Sequence, residues 1–80
     1  MAIWRVELES RDYDYYRKWL HNRGFIAAGY FSSNGFDVKK MRKLAEAGKV
    51  DAMRCVFGKS VRWYYSETQA ELARLRGELG

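Results

Sequence analysis

Hydrophobic positions along this chain change their spacing several times, and each change marks an element. Trp4, Val6 and Leu8 alternate with Arg5 and Glu7, the period of two that a half-buried strand requires. Ser10 is placed to cap a following helix, with Asp12 and Asp14 in its first turn, Arg17, Lys18 and Arg23 toward its end, and Gly24 to stop it. Residues 25–31 fit either a strand or an extended connection and are read as a strand. Ser32-Ser33-Asn34-Gly35 is a turn cluster that leads to Asp37, a good cap for the next helix. There Val38, Met41, Leu44 and Ala45 recur at helical spacing, while Lys39, Arg42, Lys43 and Glu46 fall at i, i+3, i+4 and i+7 on another face. Gly48 stands where a left-handed helix end is wanted. Two β-rich runs, 50–57 and 60–65, are separated only by Gly58 and Lys59, a Gly-X pair of the type II′ hairpin that needs positive φ at Gly58. Ser66 and Gln69 match a capping box for a last helix, with Leu72, Leu75 and Leu79 along one stripe.

The order is therefore β-α-β-α-β-β-α, an α+β arrangement in a single domain spanning residues 1–80. A two-residue turn at Gly58-Lys59 would set Val56 against Val61, Arg54 against Trp63 and Ala52 against Tyr65 on one side. Cys55 would then face Arg62, and Met53 face Tyr64, on the other. Each side carries apolar residues and one arginine, so either can pack on the helices. Arg54 over Trp63 is a candidate cation–π pair.

Length and composition narrow the function. A chain of 80 residues buries only about 60% of the surface its unfolded form exposes, which favours a binding face over a deep catalytic cleft. Fifteen Lys and Arg against ten Asp and Glu give a formal charge of +5, which suits nucleic acid, an acidic protein surface or anionic lipid. No apolar run suggests a signal peptide or a membrane span, so a cytoplasmic location is expected. Cys55 is the one cysteine and His21 the one histidine. No disulfide and no metal-ligand cluster is expected from them: Cys55 reads as a small strand residue and His21 as a helix-end partner. Phosphate-cradling glycine motifs, nucleophile elbows and mechanism-fixing acid pairs are all missing, so neither catalytic residues nor a cofactor is expected.

The stretch from about 37 to 76 resembles the DNA-binding half of phage excisionases and MerR-type regulators. Those proteins run from a recognition helix through Gly-Lys or Gly-Arg and a hydrophobic residue to a two-stranded wing and a helix. Gly48-Lys49-Val50, Gly58-Lys59 and Trp63 are the matching residues here. Asp51 stands where that family commonly has proline, and residues 2–31 replace its short scaffold helix. The resemblance implies a winged-helix-like domain whose Lys39, Arg42 and Lys43 face the major groove, with Lys40 beside them, and whose Lys59 and Arg62 touch the backbone or minor groove.

Three Trp, six Tyr and four Phe are a large aromatic complement for so short a chain. Trp4, Trp19 and Trp63 are expected in the core. Tyr13 and Tyr16 share a helical face with Leu20, while Tyr15 and Trp19 form a neighbouring one, so at least one tyrosine should be exposed. The leading expectation is double-stranded DNA binding without a cofactor. The alternative is a protein-binding inhibitor, such as a phage anti-defence protein, that uses its aromatic helix, with Tyr15 and Tyr16 as contacts, and its basic face against an acidic or nucleic-acid-binding partner surface. A third reading is single-stranded nucleic acid on an aromatic sheet face.

Overall fold

A computed structural model describes residues 3–79. The elements are β1 (Ile3–Leu8), a 3-10 turn (Ser10–Asp12), α1 (Tyr13–Asn22), β2 (Phe25–Ala27), α2 (Ala28–Ser33), α3 (Val38–Glu46), β3 (Ala52–Phe57), β4 (Ser60–Ser66) and α4 (Glu67–Leu75). This is an α+β fold around one four-stranded mixed sheet of order β1-β3-β4-β2. β1 runs parallel to β3, while β4 is antiparallel to both β3 and β2.

The hairpin register is the one the Gly58-Lys59 turn demands, with Val56 opposite Val61, Arg54 opposite Trp63 and Cys55 opposite Arg62. Gly58 has φ +59°, a region that β-branched side chains avoid. The face carrying Ala52 and Tyr65 lies under α2, α3 and α4, in a core with Phe31, Met41, Ala45 and Val50. The opposite face lies under α1, where Leu20, Cys55 and Tyr64 are buried among Tyr13, Tyr16 and Trp19. Tyr13 stacks on Phe57 with ring centroids 4.0 Å apart and shares a hydrogen bond with the Tyr64 hydroxyl.

Several expectations are corrected. The segment 25–31 is a strand only through Ala27; Ala28 opens α2, and the order gains a helix. Phe31 is wholly buried, edge-on to Phe36 and Tyr65, and this tertiary packing outweighs the weak local preference of Ala28-Gly29-Tyr30-Phe31. The hairpin is not a free wing: β1 flanks all of β3, and β2 flanks the last three residues of β4. Ser10 begins the 3-10 turn instead of capping α1, and neither helical segment has a side-chain cap there. Trp4 is 47% exposed and outside the core, whereas Trp19 and Trp63 are half-buried and pack against the core on opposite faces of the sheet. Of the expected leucine stripe, Leu72 and Leu75 of α4 are exposed and Leu79, past the helix end, is buried in the core; α4 itself packs through Ala70 and Ala73, which brings its backbone close to its neighbours.

The capping box at α4 is half formed. Ser66 Oγ accepts the Gln69 N–H at 3.4 Å, but the Gln69 amide turns to Asp51, donating to Oδ2 at 2.8 Å and accepting the Asp51 N–H at 2.6 Å. That clasp ties the start of α4 to the entry of β3. No helix among the described residues is long and apolar enough to cross a membrane.

Candidate nucleic-acid interface

The candidate site begins at the cap of α3. Asp37 Oδ1 accepts the backbone N–H groups of Lys39 at 3.0 Å and Lys40 at 3.2 Å, which fixes the backbone of the first turn. Met41 and Ala45 are buried and Val38 and Leu44 half-buried, so rotation of the helix about its axis is determined. The remaining face presents Lys39, Arg42, Lys43 and Glu46 along a groove of about 450 Å³ that Ala28 and Tyr65 close from the other side. Lys40 lies on the opposite flank of α3 from Arg42 and does not line this groove.

Arg42 joins the helix to the sheet. Its guanidinium lies over the Trp63 ring, 4.5 Å from the centroid, and Trp63 stacks with Tyr65 at 6.2 Å and an interplanar angle of 15°. Burial pushes the Tyr65 hydroxyl above its ordinary titration range, with the nearby Arg42 charge opposing the shift. The expected Arg54–Trp63 contact is therefore a register neighbour, while the cation over the ring is Arg42. Arg54 extends the same sheet face, and Arg5 of β1 stands next to it in the row Arg5–Arg54–Trp63.

Two arginines directly opposite on neighbouring strands repel each other unless an anion lies between or above them. The acids that form ion pairs do so elsewhere: Glu9 with Arg11, Asp14 with Arg17, Glu71 with Arg74, and Glu78 with Lys49 and Arg76. Among the described residues, none of Lys39, Lys40, Arg42, Lys43 and Arg54 has an ion-pair partner.

The hairpin cations separate. Lys59 is exposed at the turn, at the far end of the sheet from α4. Arg62 points to the α1 side, 6.0 Å from the centroid of Phe57, and does not join the α3 cluster. On α1, Tyr16 is half-buried and stacked with Trp19 at 5.2 Å, and the Arg23 guanidinium covers the same indole at 3.6 Å. Tyr15 alone of that group is free, 76% exposed. Arg54 and Trp63 belong to the basic face although the resemblance gave neither of them a contact with nucleic acid. The alternation of Ala52, Arg54 and Val56 against Tyr65, Trp63 and Val61 held the signal, but only the side taken by α3 reveals that these two join its cations.

Cys55 and His21 sit apart from this surface. Cys55 is fully buried and its thiol is pushed up to about 11 by burial, which leaves it protonated and unreactive at neutral pH. His21 is exposed in the last turn of α1. No family model, curated protein or solved structure matches the chain.

Proposed function

We propose that this chain is a DNA-binding protein that holds the phosphate backbone of a duplex with Lys39, Lys43, Arg42 and Arg54. The observation that carries the reading is a run of cations on a capped helix and the adjoining strand, Arg42 held against the Trp63 ring, with no acidic residue paired to any of them among the described residues. Arg42, fixed in this way, loses little further freedom on binding, and arginine's planar fork suits phosphate oxygens. On this reading α3 enters the major groove and Lys59 at the hairpin turn reaches the neighbouring backbone, a winged-helix variant whose wing is built into a sheet. The protein acts by binding, with no catalytic step and no cofactor.

Arg42 over Trp63 argues against the single-strand alternative, since one face of the indole is already covered and cannot take a base. The protein-inhibitor alternative draws on the exposed Tyr15. A gel-shift titration with duplex DNA separates the two. The combined Lys39→Ala, Arg42→Ala, Lys43→Ala variant should lose binding by at least about a hundredfold while Tyr15→Ala stays within about twofold, since each lost phosphate contact removes a counterion-release contribution. A folded Tyr15→Ala protein that loses its cellular activity, beside a triple variant that keeps it, would move the function to a protein partner.

A further inference from the structure

The longest unpaired strand edge among the described residues belongs to β1. Its inner side pairs with β3 through all six residues, and the strand order leaves its outer side at the end of the sheet. An open edge of that length is a template for another strand, and proteins that remain single commonly blunt it with lysine or proline. β1 contains neither, and its two charges, Arg5 and Glu7, are of opposite sign. The other side of the sheet offers shorter edges, the three residues of β2 before the chain turns into α2 and the four residues 60–63 of β4 that β2 does not reach.

The side chains of β1 specify what would pair with it. Trp4-Arg5-Val6-Glu7-Leu8 reads apolar, positive, apolar, negative, apolar, and an inverted copy of this pattern is its charge complement. With Val6 set opposite Val6 of a second copy, Arg5 meets Glu7 of that copy, and Glu7 meets its Arg5. Both residues are exposed and without an ion pair among the described residues. On the opposite face Trp4, 47% exposed, meets Leu8 of the second copy, and Leu8 its Trp4. A charge of one sign on an edge strand repels its own copy, whereas one of each sign two residues apart attracts it in this register.

We propose that the chain forms a two-fold dimer by antiparallel pairing of β1 with β1, joining two four-stranded sheets into one of eight strands. Residues opposite each other across strands point to the same side, so the face bearing Arg5 continues into the same face of the second copy. Both α3 helices and both Arg54 side chains then lie on one side of the joined sheet. The dimer rests on β1 alone and does not depend on the DNA reading; if that reading also holds, one particle presents two basic faces to one duplex.

Sedimentation equilibrium without nucleic acid tests this directly. The wild-type chain is expected to reach twice its 9.4 kDa mass at micromolar concentration. Arg5→Glu and Glu7→Arg each place like charges opposite twice over and should weaken association by about tenfold or more. The double variant Arg5→Glu/Glu7→Arg re-forms both pairs with signs exchanged and should restore the dimer. Circular dichroism confirms that each variant is folded. A wild-type chain that stays at monomer mass, a dimer that survives both single reversals, or a folded double variant that remains a monomer would each overturn the proposal.

Discussion

The guanidinium of Arg42 lies over the indole of Trp63, 4.5 Å from its centroid, and this contact connects the basic helix to the sheet. It holds a cation that would otherwise move freely on an exposed helix face, and it orients Trp63 against Tyr65. Trp63→Ala should therefore act twice. Stability should fall by roughly 1–3 kcal/mol, from the lost aromatic burial and a cation–π contact of about 0.5–2 kcal/mol. DNA affinity should also fall, although Trp63 itself carries no charge. Denaturant unfolding beside a binding titration measures both; a variant that loses stability with unchanged affinity would remove Trp63 from the site.

The turn at Gly58 provides a test of the hairpin. Its φ of +59° is strained for any β-branched residue, so Gly58→Val should lower stability by about 1 kcal/mol or more. For a domain of this size that corresponds to a melting temperature lower by about 4–8 °C. Gly58→Asn, which tolerates this region better, should lose clearly less. Scanning calorimetry of the two variants gives the comparison.

Much of the local structure was legible in the sequence because it depends on near neighbours. Asp37 caps α3, Gly24 and Gly48 end their helices with φ of +82° and +80°, and the hairpin register follows from a two-residue turn. What escaped depends on distant residues. The parallel pairing of β1 with β3 joins segments almost fifty positions apart, and no periodicity reports it. Residues 28–33 become helical because Phe31 is buried against Tyr65. The α4 helix packs through Ala70 and Ala73 because close approach favours small residues, so Leu72 and Leu75 stay outside, while Leu79 beyond the helix end reaches the core as the pattern suggested. The basic face was legible as far as Lys39, Arg42 and Lys43. Arg54 needed the sheet face assigned, and Arg62 was separated from the others by the alternation of β4.

Stability should decline at alkaline pH through the face under α1. Burial raises the Cys55 thiol from an ordinary 9.0 to about 11, and burial followed by the Tyr13 hydroxyl raises Tyr64 well above the usual tyrosine range. Both groups are neutral when protonated and are held in that form by folding. The unfolded chain therefore loses these protons first, binds fewer of them than the native state, and gains in relative stability as pH rises. The Cys55 contribution, up to about 2–3 kcal/mol, is complete below pH 9 and is lost between about pH 9 and 11. Cys55→Ala or Cys55→Val should flatten that part of the profile in urea melts taken from pH 7 to 11. A wild-type profile already flat across this interval would show that the thiol ionises as easily in the folded chain as in the unfolded one.

The most direct measurement of the DNA-binding claim is the salt dependence of affinity for a short duplex, read by fluorescence anisotropy. Contacts from Lys39, Arg42, Lys43 and Arg54 to phosphate predict that log K falls linearly with log salt, with a slope of about −0.9 for each phosphate neutralised. The double variant Lys39→Ala/Lys43→Ala should be less steep by about two and weaker on every sequence alike. Affinity that stays flat from low to moderate salt, or a double variant with the wild-type slope, would contradict the account.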